Sequence, residues 1–391
     1  MRCSSRISSA WPDQVSRLRA IVVVALLVAL PALGFEAPLE AQRTSADSSF
    51  AALVAQLSET GGYFDSDNII SNELTYLAVD TQLAKLGVRG GVYIGVGPDQ
   101  NFSYIALIRP SMAFMVDIRR DNMLEHLLFK SLFAVARNRL EYLCLLFGRP
   151  VPPDIDEWAA RSTTDILAYL DRTPIDARAA AASRDASNAR ITAYGVPLDP
   201  HDREVLDRYR DEFVHDGLET RYSSLGRNNR YDYPSFRDLI LATDRDGRQV
   251  SYLATERAFD VMRSMERANR IVPVVGNVAG PHAVRAIGAW ARAHDLRISA
   301  FYLSNVEQYL MTRQGGFDAY IENVRALPRD STSVIIRSFF ERFGQAHPLA
   351  MPNSASRSTS MIEPIDELLR EYDAGEIRDY LDLVMHGYVR P

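Results

Sequence analysis

Lysine is nearly missing from this chain. Lys85 and Lys130 are the two lysines, and every other cation is arginine. The bias reads as composition rather than function. Positive charge is in deficit too: 44 Lys and Arg stand against 50 Asp and Glu, a formal net charge of −6. No basic field is offered to nucleic acid, which argues against such a partner. Cysteine is scarcer still, with only Cys3 and Cys144. Cys3 falls in a targeting-type segment, so a processed chain keeps one thiol. That excludes an internal disulfide and a cysteine metal site in the processed chain. Cys144, among Tyr142, Leu143, Leu145, Leu146 and Phe147, reads as a buried, inert thiol. The histidines show no metal-ligand spacing, and no zinc-protease helix, serine elbow or P-loop motif is present.

Long apolar runs are lacking as well. The one candidate, Ala20 to Leu33, is short for a membrane span and is interrupted by Pro31. Arg2, Arg6, Arg17 and Arg19 precede it, and Leu39-Glu40-Ala41 follows it. Basic, apolar, then small is the order of an export signal, here residues 1–41. Its loss removes four Arg, Asp13, Glu36 and Glu40, leaving a net charge of −7. No Cys follows the run, which argues against a lipoprotein anchor. The expectation is an exported, periplasmic chain that touches the membrane only through this segment. An uncleaved inner-membrane anchor and a mis-assigned start are the alternatives.

What is present is an ordinary globular composition, 47% hydrophobic and 24% charged. Residues 43–60 read as a lead-in helix and Asn72 to Leu86 as another. Strand-type runs follow at Val92 to Val96 and Ala113 to Ile118, with helical patterns at Phe102 to Ile108 and from Met123 to Phe133. Residues 150–265 break this alternation and read as an insertion able to form a lid, with Ala177 to Ser187 as a mobile linker. Arg203 to Asp216 looks helical, and Asp246-Gly247 reads as a tight turn. Alternation resumes at Ile271 to Val275, where Pro273 weakens the strand pattern. A helix runs from Pro281 past Ala291, then come a strand at Ile298 to Leu303, a helix at Phe317 to Leu327 and a strand at Ser333 to Phe339. The fold class is α/β: a Rossmann-like, doubly wound, mostly parallel sheet spanning 42–391, with a large insertion after the second strand.

Open parallel sheets bind ligands at the carboxyl ends of their strands. Polar or glycine-rich turns stand at four such ends: 95–101, 117–121, 277–280 and 304–309. In Gly95-Val96-Gly97-Pro98-Asp99-Gln100-Asn101, glycine permits close backbone approach, and the next helix offers unpaired N–H groups. Asp99 there repels phosphate and suits an ammonium or a hydroxyl, favouring an amino-acid-bearing nucleoside over a dinucleotide. Asp117 ends the second strand, where a carboxylate can accept both hydroxyls of a ribose.

The Gly95-Val96-Gly97-Pro98 turn and Val116-Asp117-Ile118 resemble the first two motifs of class I methyltransferases. Val274-Val275-Gly276-Asn277 resembles the third, which meets the adenine. Leu303-Ser304-Asn305-Val306-Glu307, with Tyr309, resembles the fourth, which faces the reacting centre. The run Asp117 to Gly148 is similar to a bacterial group that includes the aminocarboxypropyl transferases of betaine-lipid synthesis. Pro98-Asp99 departs from the family's further small residues. The resemblance covers about 92–148 and 270–340. It implies S-adenosylmethionine as cofactor, bound by Gly95, Gly97, Asp99, Asn101, Asp117, Asn277 and Val278. Ser304, Asn305 and Glu307 would orient a small-molecule or lipid acceptor or take its proton, so the implied function is transfer of a methyl or aminocarboxypropyl group. Tyr63, Asp65 and Asn68 are candidates to close over the site.

Plainer readings stand beside these. The two glycines make a strand–helix turn; Asp117 caps the next helix or pairs with Arg119 or Arg120; Asn277 is a turn residue; Ser304 and Asn305 cap a helix. His126 reads as packing among solvent-side neighbours. Two other functions therefore stay open: an exported, non-enzymatic binding or scaffold protein on a degenerate fold, and a membrane-held lipid-modifying enzyme.

Overall fold

The computed structural model describes residues 49–224, 233–341, 346–351 and 357–391. The segment read above as an export signal, residues 1–41, lies outside them. Among the described residues, no helix is long and apolar enough to cross a membrane.

The described residues open with α1 (49–57), which falls within the lead-in pattern, and run through a 3-10 turn at Tyr76–Val79 into α2 (Asp80–Lys85). Then follow β1 (Val92–Gly95), α3 (Gln100–Ile108), β2 (Met112–Asp117), α4 (Arg120–Val135) and α5 (Arg139–Leu146). Residues 118–270 connect β2 to β3 and also hold α6 (Thr163–Arg172), α7 (Ala177–Ala193), α8 (Pro200–Asp216), α9 (Phe236–Leu241) and α10 (Glu256–Arg267). After them come β3 (Ile271–Val275), α11 (Ala283–Ala293), β4 (Ile298–Ser304), α12 (Val306–Met311), α13 (Gly316–Arg325) and β5 (Val334–Phe340). The chain finishes with β6 (Ser358–Pro364), α14 (Ile365–Asp373) and α15 (Tyr380–Met385).

The strands form one sheet in the order β3-β2-β1-β4-β5-β6. β1 to β5 pair in parallel, and β6 pairs antiparallel to β5. This is a mixed α/β layout compatible with a Rossmann-like fold. The central strands are buried at nearly every position, as expected where both sheet faces are covered, so they read as unbroken apolar runs. Pro273 is tolerated because β3 is an edge strand, where a missing N–H costs no inner ladder bond. The order reverses around β1, with β2 on one side and β4 on the other, and the crevice at that reversal is where such sheets take ligands.

Three expectations need correction. Residues 177–187 are not a linker but the first part of helix α7, capped where Asp176 accepts the Ala179 N–H at 2.8 Å. Alanine is the best helix former, and the small face lets the helix sit close: Ser183 Oγ donates to Leu145 O at 2.7 Å, and Ser187 meets Ser131 at 2.6 Å. The 72–86 pattern becomes a 3-10 turn and a short helix starting at Asp80, leaving Asn72, Glu73 and Leu74 as irregular chain. Helix α4 is buried from Asn122 through Phe133, because it lies between the sheet and other helices. His126 is therefore interior, with its ring edge-on to Phe102 at 5.6 Å.

A strap before the first strand crosses the sheet's carboxyl edge. Glu59 N–H donates to Val275 O at 2.9 Å, and Gly62 N–H to Ile118 O at 2.7 Å. The Glu59 carboxylate accepts the N–H of Asn277 at 2.8 Å and of His282 at 3.1 Å. Further on, the Arg119 guanidinium donates to Ser66 O and Asp67 O at 3.0 and 2.9 Å.

Candidate functional site

A cavity of about 600 Å³ opens at the carboxyl ends of the parallel strands. That volume lies in the range of small-molecule and cofactor sites. Each strand contributes to its wall: Gly97 after β1, Asp117 at the end of β2, Asn277 after β3, Ser304 on β4, Phe340 on β5 and Ser358 on β6. β6 runs antiparallel, so its first residue meets the other strands' last ones. The strap adds Tyr63, Phe64 and Asn68, while Arg221, Tyr222 and Tyr233 reach in from the β2–β3 connection. Phe64 packs edge-on against Tyr309 at 5.0 Å, and Tyr63 is 70% exposed at the rim.

The bend after β1 is fixed from below. Asn101 donates from Nδ2 to Val96 O and Pro98 O, both at 2.8 Å, and its Oδ1 accepts the Tyr93 hydroxyl at 2.7 Å. His126 Nε2 lies 2.9 Å from Gly97 O. A carbonyl only accepts, so Nε2 carries the proton. Burial holds this imidazole neutral, with its pKa lowered to about 4. Gly97 has φ +80°, a left-handed backbone that favours glycine. Gly95 does not line the cavity: its missing Cβ leaves room for the Asn101 amide.

Asp117 Oδ1 accepts the Arg119 N–H at 2.8 Å, and the Arg119 guanidinium stands 3.6 Å away. Burial raises its pKa, while Arg119 and the Asn68 amide pull it back. An ionised carboxylate has about four lone-pair sites, so acceptor capacity remains for a ligand diol. Asn277 holds its turn by accepting the Ala279 N–H at 3.0 Å, and Val278 O accepts the Asn323 amide at 2.8 Å.

The structure thus brings Gly97, Asp117, Asn277, Val278, Ser304 and Asn305 to one cavity. It places Asp99, Asn101 and Glu307 elsewhere. Asp99 turns inward and accepts the Tyr252 hydroxyl at 2.9 Å, where burial pushes its carboxyl up to about 7. The void beside it, about 10 Å³, is too small for any ligand group larger than a water. The expectation that Asp99 receives a ligand ammonium is corrected on that ground. Glu307 is fully buried and bound to Arg337 at 2.7 and 3.1 Å, so it faces neither the cavity nor an acceptor in it. Asp65 is also absent from the lining.

One acid that sequence reasoning missed sits directly behind the wall. Glu73, between the lining residues Asn72 and Leu74, is buried and accepts hydroxyls from Ser304, Ser338 and, at 2.8 Å, Tyr302. A lone acid ahead of the first strand, in a stretch patterned like a helix start, carries no signal of this role.

Residues 68–148 and 205–367 match the family described as a domain of unknown function (DUF7790), which spans more than half the chain. The match takes in every strand and the whole strand-end wall of the cavity except the strap before residue 68. No curated protein matches the chain.

Proposed function

We propose that this chain, which belongs to the DUF7790 family, binds S-adenosylmethionine at the strand ends and transfers its methyl or aminocarboxypropyl group to a small-molecule or lipid acceptor. The observation that carries this reading is the meeting of Gly97 and Asp117. They stand 20 residues apart in sequence, yet they wall one cavity at the reversal of strand order. Gly97 would let the cofactor approach the backbone, Asp117 would hold its ribose, and Asn277 and Val278 would border its base. The cofactor supplies an activated carbon on a sulfonium leaving group, so the protein's task is chiefly to align two reactants. That fits a cavity with no histidine among its described lining residues. Ser304 and Asn305 would orient the acceptor.

Calorimetric titration of the purified protein with S-adenosylmethionine tests the reading. We expect saturable heat in the wild type and at least about tenfold weaker binding in Asp117→Asn, the scale of a lost charged hydrogen bond. No heat at millimolar ligand ends the reading.

A second reading, a non-enzymatic binding or scaffold protein on a degenerate fold, is favoured by one observation. Two of the expected acids, Asp99 for the cofactor and Glu307 for the reacting centre, are sequestered in structural contacts. Mass spectrometry of small molecules released from native protein separates the two readings, since a bound species without a nucleoside supports the second.

A further inference from the structure

Among the described residues, Glu73 is a buried acid that no cation neutralises and that is one hydroxyl away from the cavity. Its side chain is buried, and the groups acting on it are three hydroxyl donors. From β4, Tyr302 and Ser304 donate to Oε1; from β5, Ser338 donates to Oε2. Tyr302 in turn accepts from Gln100 Nε2 on α3 at 2.9 Å, so its own proton points to Glu73. Ser338 also meets Ser360 of β6 at 3.0 Å. Tyr93 and Tyr104 are the other titratable groups near enough to feel the charge. Arg337, next to Ser338, projects to the opposite face of β5, where Glu307 and Glu363 hold it. Three donors and no cation is an arrangement that supports an anion without locking it, because hydroxyls can turn to either protonation state.

Ser304 is the one of the three hydroxyl residues that lines the cavity. It is the last residue of β4, and its φ of +53° is a left-handed conformation uncommon for a non-glycine residue. The strand–helix bend that imposes this conformation leaves the side chain bridging cavity and acid.

We propose that Ser304 and Glu73 are the proton-accepting pair of this cavity, with Ser304 touching the acceptor and Glu73 positioned behind it as the final store of the proton. The pair rests on the transferase reading above and narrows it to acceptors that carry a proton on the attacking atom, an alcohol or an amine. As the acceptor's oxygen or nitrogen forms its bond to the donor carbon, the carbon–sulfur bond breaks with its electron pair left on sulfur. The acceptor's proton passes to Ser304 Oγ, and the serine's own proton passes to Glu73 Oε1. The carboxylate ends as a neutral acid, and the sulfonium as a neutral thioether, so charge and atoms balance. Buried surroundings favour that neutral product state.

Infrared spectroscopy of the full chain across pH tests the pair without any acceptor. We expect a carboxylic-acid carbonyl band that persists above the ordinary glutamate range and is lost as pH climbs further, the direction that burial gives this group. The band should be lost in Glu73→Gln. In Ser304→Ala it should move to higher frequency and titrate at higher pH, because one donor to the anion is gone. A band that does not titrate at all overturns the proposal, since it describes an acid held only for packing. A band unmoved by Ser304→Ala overturns it too, and this second variant serves if Glu73→Gln fails to fold. Calorimetry with S-adenosylmethionine on the same samples keeps the two ideas apart. Absent binding in wild type removes the transferase reading and the proposal built on it, whereas normal binding with a flat carboxyl signal removes the pair alone.

Discussion

Strand β5 separates two buried clusters of acids that are built on opposite plans. On one face, Arg337 is fully buried and shared by Glu307 and Glu363, both also fully buried. On the other, Glu73 has only hydroxyls around it. The first cluster is closed by charge. One cation serves two anions, which raises the Arg337 pKa, while burial together with the neighbouring Glu307 pushes the Glu363 carboxyl up to about 7. None of the three lines the cavity. The second cluster is satisfied by groups that can reverse their hydrogen bonds, and one of them reaches the cavity. A buried charge with a buried counter-charge holds a fold in place, whereas a buried acid among hydroxyls is free to change its proton.

The sharpest way to break this contrast is to remove the cation. Arg337→Met leaves two buried carboxylates without a partner, and we expect a loss of about 3–5 kcal/mol in urea unfolding at neutral pH. Adding Glu307→Gln and Glu363→Gln should restore much of that loss. A loss under about 1 kcal/mol in the single variant would show that charge does not hold this face.

Next in size is the pH response of the same cluster. Glu363 binds its proton more tightly folded than unfolded. The wild type should therefore lose stability as pH rises from the ordinary carboxylate range to about 7, with no further loss from this group above that. The effect is about 3 kcal/mol; it should be missing from the pH profile of Glu363→Gln and so appear in the difference between wild type and variant unfolded at the same pH values. A difference of the opposite sign would mean that the salt bridge outweighs burial.

Glu73→Gln should be milder, within about 1 kcal/mol of wild type near neutrality, because no cation is stranded. Its raised pKa gives the same sign as for Glu363: wild type weakens relative to the variant as pH climbs above the usual glutamate range. A pH-independent difference in parallel unfolding curves would contradict that. The smallest change is expected for Ser304→Gly. Relief of the left-handed backbone, about 1 kcal/mol, offsets a lost hydroxyl bond of about the same size. Thermal melts should nearly coincide, while the Glu73 carboxyl titration shifts. A large destabilisation would assign Ser304 to the fold rather than to the cavity.

Much of the frame was legible in the chain itself. The five parallel strands are apolar runs stopped by polar turns, because burial on both faces leaves no room for alternation. Gly97, Asp117, Asn277 and Ser304 follow from that frame, since position at a strand end is enough to place them. β6 was not legible. Ser358, Thr359 and Ser360 carry no apolar run to mark a strand, yet they are buried, and the Ser358 and Ser360 hydroxyls bond to Thr75 and Ser338. Hydropathy is blind to polar residues that satisfy one another across distant segments. The same blindness hid Glu73 and misassigned Glu307. Residues of one type, both acids near strand ends, differ only in what stands opposite, and that is set by pairings of high sequence separation.

The strap across the sheet edge has a consequence for how the molecule is made. Residues 59–62 dock on Ile118, Val275, Asn277 and His282, the last of which follows them by more than two hundred positions. A ribosome delivers the strap long before its seat exists. That end of the chain must wait unfastened until β3 has been synthesised and added to the edge. The ligand cavity therefore cannot close before β3 is made, and a nascent chain halted before residue 271 would contain Gly97 and Asp117 but no completed chamber between them.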